Sequence, residues 1–236
     1  MLTRRYMHEY GVTREQLANV ALTLRRHANR NPKAAMYEKT LDLDQYLSAR
    51  WISEPLCLFD NCLESDGALA VVITSAERAR DLPHAPIYVH AYSQGLPEQH
   101  QIMSNFFCED PLRGPSHAAA RRLWANSDLK PHDVSCAQIY DAFSPLIPLS
   151  LEGYGFCERG EGAAFTEDGG LDWDGGRLPV NTSGGSLSEA YVHGFNHVIE
   201  AVRQLRGEST AQVENASSCL VTSGECVPTS ALLLRN

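Results

Sequence analysis

The sequence predicts a layered α/β fold, and two patterns support this. From residue 87 onward, apolar β-branched segments alternate with segments whose apolar residues recur at helical spacing, the order typical of a layered α/β domain. Before that point, residues 67–74 form a continuous apolar run, which indicates a strand covered on both faces. The chain has 236 residues, of which 43% are hydrophobic and 21% charged. It can therefore bury one large core or two small ones.

The order of the predicted elements follows from local signals along the chain. Thr13 can cap a helix over residues 13–30, which ends before Pro32, and a second short helix is expected over residues 43–50. The apolar run at 67–74 leads into a short helical segment over residues 75–81. Beyond it we expect strands at 87–93, 135–140, 212–222 and 229–235, and helices at 116–127, 142–154 and 188–206.

The helix predicted over residues 188–206 has the clearest pattern. Ser188 is its N-cap candidate, and we expect its apolar stripe to pack inward. His193 and His197 lie four residues apart, a spacing that can ligate zinc, but Gly194 stands where the zinc-protease motif needs glutamate. Solvated or hydrogen-bonded histidines are the favoured interpretation. The stripe consists of Tyr191, Val192, Phe195, Val198, Ile199, Val202 and Leu205.

Charge and cysteine content exclude several classes of protein. Lys and Arg number 20 against 29 Asp and Glu, a net charge of −9, which argues against nucleic-acid binding. No apolar run approaches the roughly 20 residues that span a bilayer, and the first residues resemble no signal peptide, so we expect a cytoplasmic protein without a membrane segment. The seven cysteines form no Cys-x-x-Cys pair, which favours reduced thiols and no structural metal.

A glycine-rich stretch over residues 160–185 carries Asp168, Asp172 and Asp174. Such residues occur in calcium-binding loops, but no glutamate follows at the EF-hand spacing. Solvated turns are therefore the favoured interpretation.

Two places carry residues suited to chemistry. At residues 181–185 a paired-glycine turn runs into the predicted helix 188–206, where Gly184 and Gly185 would let a ligand approach bare backbone. Free N–H groups of the first helical turn could then donate to an anion or oxyanion, and Tyr191 is expected in that turn. The alternative is that the glycines only form a tight turn and Tyr191 only packs.

The second place is the end of the predicted strand at residues 135–140, where Tyr140 precedes Asp141. Ligands of open α/β sheets bind at the carboxyl ends of strands, so both side chains lie where a site is expected. The alternative is a hydrogen-bonded structural pair.

Three segments, in the right order, resemble blocks of the thiolase superfamily, closest to its sterol-carrier-protein-X and lipid-transfer-protein branch. Residues 65–72 resemble its returning strand, residues 139–143 (Ile-Tyr-Asp-Ala-Phe) its Asn-Glu-Ala-Phe block, and residues 181–185 (Asn-Thr-Ser-Gly-Gly) its turn before the catalytic histidine. The resemblance covers essentially the whole chain and implies a layered α/β/α C-terminal half. Its parts would be a remnant of the loop region (1–60), a returning strand and helix of the N-terminal half (61–84), and the C-terminal domain (85–236).

The departures from the thiolase pattern bear on the chemistry. Tyr191 stands where thiolases have the catalytic histidine, Tyr140 replaces the asparagine, and Ser223 aligns with the second catalytic cysteine, although Cys226 is close enough to leave that position open. The nucleophilic cysteine belongs to the thiolase N-terminal domain. Without the two cysteines and the histidine, a reaction through an acyl-enzyme intermediate lacks its nucleophile and its base.

The chain therefore resembles the aldolase members of the lipid-transfer branch, which cleave β-hydroxyacyl-CoA, notably of steroid side chains, without a covalent intermediate. The resemblance implies that Tyr140 and Tyr191 are the acid and base. It also implies substrate or oxyanion contacts from Asp141, Asn181, Gly184, Gly185 and Ser223. Acetyl-CoA acetyltransferase activity and a noncatalytic lipid-binding or scaffolding subunit are the alternatives.

The resemblance further implies a coenzyme A thioester as substrate, with no separate cofactor and no metal. It implies a DUF35-type OB-fold partner and a homodimer or heterotetramer of the full-length protein. Arg25, Arg26 and Arg30 could contact coenzyme A phosphates, although a solvated basic helix face is favoured. An apolar strand at 67–74 without neighbours would leave backbone groups unpaired, so we expect the chain alone to be unstable or part of a longer reading frame.

Overall fold

The computed structural model describes residues 1–97, 108–225 and 229–236. Short 3₁₀ turns at Leu58–Asp60 and Pro131–Asp133 accompany the main elements. The helices are α1 (Leu2–Tyr10), α2 (Arg14–Ala28), α3 (Leu43–Ser48), α4 (Ala76–Ala79), α5 (Pro115–Ala125), α6 (Leu146–Tyr154), α7 (Gly162–Phe165), α8 (Gly185–Ser188) and α9 (Phe195–Arg206). The strands are β1 (Trp51–Ser53), β2 (Leu56–Cys57), β3 (Tyr88–Gly95), β4 (Cys136–Ile139), β5 (Ser218–Thr222) and β6 (Thr229–Arg235).

Four strands form the main sheet, in the order β3-β6-β5-β4. Strand β6 is antiparallel to both of its neighbours, whereas β4 and β5 run parallel, with Ala137 opposite Leu220. All five residues of β5 are buried, because a central strand of a covered sheet meets side chains on both faces.

Helices cover both faces of this sheet, which confirms the predicted layered α/β arrangement. Helices α5 and α6 pack on one face, where Leu123, Ile147 and Leu151 meet Leu220 and Leu233 in the largest core. Helix α9 covers the other face in a separate apolar cluster. Helix α2 adds Val20 and Leu24 to the largest core. Helix α2 therefore shares a core with the sheet; the domain boundaries expected from the resemblance stay a prediction.

Several elements follow the sequence prediction closely. Helix α2 begins after Thr13, whose side chain accepts from the Gln16 N–H in a capping box, and ends at Ala28 before Pro32. Helix α3 has the same device at Asp42. Helix α5 and strands β3, β4 and β6 lie within a few residues of their expected bounds. Short-range signals therefore sufficed for these elements.

The strand predicted at residues 67–74 is wrong. These residues form no strand in the described ranges, and Val72 and Ile73 are 91% and 82% exposed. An apolar run becomes a strand only where neighbouring strands supply backbone hydrogen bonds and cover. The short helix expected next is confirmed as α4, which Ser75 caps.

The helix predicted over residues 188–206 is also wrong in its first half. Ser188 ends α8, and α9 begins only at Phe195 after Gly194, whose φ of 80° is left-handed. Tyr191 thus lies in a loop, not in the first helical turn. Two other bounds differ: α6 begins at Leu146 rather than at 142, and β5 begins at Ser218 rather than at 212.

The apolar stripe expected to pack inward from this helix does so only in part, because Val198, Val202 and Leu205 pack against the sheet. The buried face carries Asn196, His197, Glu200 and Gln204 as well as Ala201 and Leu205, while Phe195 is 38% exposed. Burial of this polar face is tolerable because it is hydrogen-bonded: Glu200 accepts from the Thr182 hydroxyl at 2.6 Å. Val198, Ile199 and Val202 also line the open spaces beside α9.

Within the described ranges, no helix is both long enough and apolar enough to cross a lipid bilayer.

Candidate active site

The end of β4 and the loop between α8 and α9 bring two phenols together. Tyr140 directly follows β4, and Tyr191 lies midway along the loop. Their hydroxyl oxygens are 2.7 Å apart, and their rings are tilted with centroids 6.2 Å apart. The two residues expected to act as acid and base are thus directly hydrogen-bonded.

Two glycines and one backbone hydrogen bond position Tyr140. Its N–H donates to the Thr222 carbonyl at 3.1 Å, which extends the pairing of β4 with β5. A Cβ at Gly194 would lie 2.9 Å from Tyr140 Cδ2, and one at Gly224 would lie 3.1 Å from Cδ1. Any larger residue at either position would have to displace the ring.

Tyr191 is held by its backbone and contacts a histidine through its side chain. Its N–H donates to Ser65 Oγ at 3.0 Å, and its hydroxyl lies 3.1 Å from Nδ1 of His193. The His193 ring also lies 6.1 Å from the Tyr140 ring, centroid to centroid. From the sequence, His193 is expected to be solvated or hydrogen-bonded rather than a zinc ligand, but its contact with Tyr191 was not predicted. Its position two residues after Tyr191 was the available signal, because alternate residues of a non-helical segment can share a face.

These three side chains line a cavity of about 680 Å³. In the described part of the chain, its lining contains no Asp, Glu, Lys or Arg. A mostly apolar cavity with a few convergent polar groups is typical of a small-molecule site. The polar part consists of Tyr140, Tyr191, His193, Thr222, Ser223, Ser230 and Cys62, and the apolar part includes Ala142, Phe143, Phe195, Val198, Val221 and Leu232.

Ser223, the residue at the position of the second thiolase cysteine, reaches this cavity. Its hydroxyl lies 2.7 Å from that of Ser230, and its N–H donates to the Ser230 carbonyl at 2.9 Å. Two hydroxyls thus lie side by side in the lining. Cys226, the alternative for this position, lies outside the described residues.

Asp141 is fully buried beneath the cavity instead of lining it. Its Oδ1 accepts from the Ser186 N–H at 2.8 Å and its Oδ2 from the Leu187 N–H at 3.2 Å. Nε2 of His197, also fully buried, lies 3.0 Å from Oδ1. The N–H groups of α8 that we expected to be free for an oxyanion are therefore occupied by a carboxylate of the protein.

Asn181 is likewise buried, and its side-chain amide hydrogen-bonds the backbone of the residue before Tyr140. Its Oδ1 accepts from the Ile139 N–H, and its Nδ2 donates to the Ile139 carbonyl, both at 2.7 Å. This pairing takes the place of a neighbouring strand at the end of β4. Helix α2 holds the same turn, since Nδ1 of His27 lies 3.2 Å from the Asn181 carbonyl.

The paired glycines of this turn are packed against protein atoms. A Cβ at Gly184 would come within 2.6 Å of the Ala28 Cβ, and one at Gly185 within 2.4 Å of an Asp141 oxygen. Both glycines have positive φ, 111° and 61°, which L side chains rarely adopt. Packing and backbone shape thus account for both, as in the tight-turn alternative.

Cys62 is the cysteine that lines the cavity among the described residues. Burial, and then the nearby Asp141 carboxylate, raise the pKa of its thiol. A raised pKa keeps the sulfur protonated at neutral pH, and the thiol is a far weaker nucleophile than the thiolate.

A second groove, of about 740 Å³, lies between the exposed 70–74 segment and the outer side of α9. Its lining is dominated by apolar side chains such as Val72, Ile73, Ile199 and Val202. Neither Tyr140 nor Tyr191 lines this groove. In the ranges that the structure describes, no group of three or more His, Cys, Asp or Glu side chains could hold a metal ion.

Comparison with known proteins gives a family match and two similar enzymes. Residues 98–233 match the family described as Thiolase C-terminal domain-like. The chain is 46% identical, over 235 residues and 99% of its length, to the steroid side-chain-cleaving aldolase of Thermomonospora curvata. It is also 46% identical, over 99% of its length, to the 17-hydroxy-3-oxo-4-pregnene-20-carboxyl-CoA lyase of Mycobacterium tuberculosis.

Among solved structures, the Ltp2-ChsH2(DUF35) aldolase superposes with a TM-score of 0.96 at 45% identity over 100% of this chain and 62% of that chain. The chain spans 60% and 61% of the lengths of the two curated relatives.

Proposed function

Because the chain belongs to the Thiolase C-terminal domain-like family, we propose that it carries the acid and base groups of an aldolase that cleaves β-hydroxyacyl-CoA thioesters. The observation that carries this proposal is the 2.7 Å contact between Tyr140 and Tyr191 at the wall of an apolar cavity. Two 46% identical relatives, an aldolase and a lyase, support it.

The proposed reaction is a retro-aldol cleavage. One phenolic oxygen takes the proton from the β-hydroxyl, the oxygen forms a carbonyl, and the Cα–Cβ bond breaks. The bonding electrons pass into the thioester, which becomes an enolate, and the second phenol returns a proton to Cα. One proton leaves the substrate and one comes back, so the reaction needs no oxidant and no second substrate.

We assign Ser223, with Ser230 beside it, to the thioester oxygen. Hydroxyl donors in a cavity without charged side chains stabilise an enolate oxygen more strongly than they would in water. Four residues then support the site without touching the substrate: Asp141, Asn181, Gly184 and Gly185. Their hydrogen bonds and close contacts are made with other atoms of the protein. This interpretation gives them a positioning role in place of the expected substrate contacts.

The substrate class follows from the named lyase relative. In 17-hydroxy-3-oxo-4-pregnene-20-carboxyl-CoA, the C17 hydroxyl is β to the thioester carbonyl. Cleavage between C17 and C20 would give a 17-ketosteroid and propanoyl-CoA. The cavity of about 680 Å³ with its apolar lining suits a hydrocarbon ring system whose reacting end meets the tyrosines.

The proposed assembly includes a second protein. The solved relative is named as a complex with a DUF35 component, and we propose a DUF35-type OB-fold partner here, in a homodimer or heterotetramer. Coenzyme A enters only as part of the substrate, with no other cofactor and no metal. Cys57, Cys62, Cys136, Cys157 and Cys219 form no disulfide among the described residues, which supports the proposal of a reducing, cytoplasmic location.

Neither alternative function has comparable support. Acetyl-CoA acetyltransferase chemistry needs a thiolate and a base, and in this chain Tyr191 and Ser223 stand where the resemblance puts the catalytic histidine and the second cysteine. A noncatalytic scaffold does not account for two hydrogen-bonded phenols facing open space.

The test uses the natural full-length protein, with and without a DUF35-type partner, and 17-hydroxy-3-oxo-4-pregnene-20-carboxyl-CoA. We expect equimolar 17-ketosteroid and propanoyl-CoA, measured by mass spectrometry. Tight binding without either product would overturn the enzyme and favour the scaffold, and acetyl transfer between CoA thioesters would favour the acetyltransferase.

A further inference from the structure

We propose that His193 positions and activates Tyr191 by accepting its proton during the reaction. This inference rests on the proposed aldolase function and goes beyond it, since it adds a third group to the tyrosine pair. The geometry is a row of three side chains: Tyr140 and Tyr191 are 2.7 Å apart between hydroxyls, and Tyr191 lies 3.1 Å from His193 Nδ1.

The chemical need for such a group comes from the composition of the cavity. Phenols as a class lose their protons about 3 pH units above neutrality, so a pair of phenols alone is a poor base at pH 7. The lining carries no carboxylate and no amine among the described residues. Histidine is the side chain that most readily changes protonation near neutral pH, and His193 is the histidine in the lining.

The hydrogen-bond directions allow a complete proton path. In the tautomer with its hydrogen on Nε2, His193 accepts the Tyr191 proton through Nδ1. The Tyr191 oxygen can then accept a proton from Tyr140 or from the substrate hydroxyl. As the Cα–Cβ bond breaks, the proton from the substrate passes along this row and one proton rests on the imidazole. Its return along the row protonates Cα and restores the starting state.

The backbone conformation at His193 is a second, independent observation, and it indicates that the surroundings constrain this residue. Its φ of 52° lies in the left-handed region, which residues other than glycine adopt uncommonly, although His, Asn and Asp adopt it more often than the rest. Such conformations persist where the surroundings impose them, and they cluster at functional sites. No capping or turn motif requires histidine at position 193. The neighbouring Gly194, with φ of 80°, is the residue type that most often adopts the left-handed conformation.

Among the described groups that face His193, none is a free carboxylate or amine that could hold the proton in its place. Tyr191 comes from its own loop, Tyr140 from the end of β4, and Cys62 from the chain after β2. Beneath Gly194 lies His197, paired with the buried Asp141. The Asp141 carboxylate is occupied by His197 and two N–H groups.

The test compares His193→Asn with wild type in the natural full-length protein and its partner. Asparagine tolerates the left-handed backbone but cannot store a proton. We expect kcat for the steroid thioester to fall about 100-fold, KM to stay within about twofold, and the acidic limb of the kcat–pH profile to disappear. His132→Asn, at a side chain 80% exposed on the surface, is the matched control and should match wild type.

Chemical rescue separates a proton-accepting role from a structural one. His193 is exposed, so free imidazole should reach the gap in His193→Gly and raise kcat about tenfold. Glycine also suits the left-handed backbone, so this variant remains informative if the asparagine variant folds poorly. Absence of rescue, together with an unchanged acidic limb in His193→Asn, would overturn the inference.

The two levels of proposal fail differently. If Tyr191→Phe loses turnover while His193→Asn keeps it at every pH, His193 has no role and the aldolase function stands. If the wild-type protein with its partner gives no 17-ketosteroid, the proposed function itself fails.

Discussion

The hydroxyl oxygens of Tyr140 and Tyr191 lie 2.7 Å apart although 51 residues separate them in the chain. The buried amide of Asn181 ties the strand end before Tyr140 to the turn that leads into α8. Asp141 then holds the first N–H groups of α8. Buried hydrogen bonds of this kind are costly to break, so the two phenols meet in a defined place.

We expect Tyr140 and Tyr191 to act as one unit. Tyr140→Phe and Tyr191→Phe should each lower kcat/KM about 10²–10⁴-fold. The double variant should be little less active than the less active single variant, because either single change already interrupts proton transfer between the two phenols. Steady-state kinetics of the full-length protein measure this cycle. Tyr92→Phe, at a side chain 71% exposed, should match wild type. Losses that simply multiply in the double variant would mean independent roles.

Gly194 should be intolerant of a side chain for two separable reasons. Alanine at Gly194 or at Gly207 pays the cost of a left-handed backbone, about 1–2 kcal/mol, since the φ angles are 80° and 73°. Only at Gly194 does the new Cβ meet Tyr140, because Gly207 has nothing within 4 Å. We expect Gly207→Ala to lower thermal stability but keep kcat, and Gly194→Ala to lower both. Equal kcat in the two variants would argue against this packing.

Glu225 should make stability depend on pH. Burial raises the pKa of this carboxyl from 4.5 to about 8, although hydrogen bonds from Ser116 and from the Gly114 backbone act in the opposite direction. Between those pH values the folded protein keeps a proton that the unfolded chain releases. The free energy of unfolding therefore falls as pH rises, by about 5 kcal/mol in total.

Glu225→Gln removes this group from the titration. We expect the variant to be more stable than wild type at pH 8.5 by a few kcal/mol, and to show a flatter dependence between pH 5 and 8, measured by urea unfolding. Glu208→Gln, on the exposed surface, should keep the wild-type slope. A wild-type slope in Glu225→Gln would place the proton uptake elsewhere.

Cys62 should be dispensable although it lines the reaction cavity. Its thiol is kept protonated by burial, and a retro-aldol cleavage needs no covalent intermediate. We expect Cys62→Ala to keep kcat within about threefold of wild type, a much smaller effect than the loss of an acid/base group, and intact-mass spectra of the wild type to show no acyl adduct. An adduct on Cys62, with lost activity in the variant, would instead support acyl transfer.

The sequence by itself determined the alternation of helices and strands and which residues are candidates for the chemistry. Thr13 and Gln16 specify the start of α2, and the apolar runs at β4, β5 and β6 specify covered strands, because caps and side-chain periodicity act between near neighbours. The same local reading placed Tyr140 at a strand end. The resemblance to thiolases, not the local signals, implied that tyrosines stand where that pattern has asparagine and histidine.

The tertiary structure alone decided what those residues contact. It interrupted the expected helix at Gly194, left residues 67–74 outside any described strand, and occupied the α8 N–H groups with Asp141. It also placed His193 beside Tyr191. Each outcome depends on hydrogen-bond partners and cover from distant parts of the chain, and periodicity along one segment carries no information about such partners.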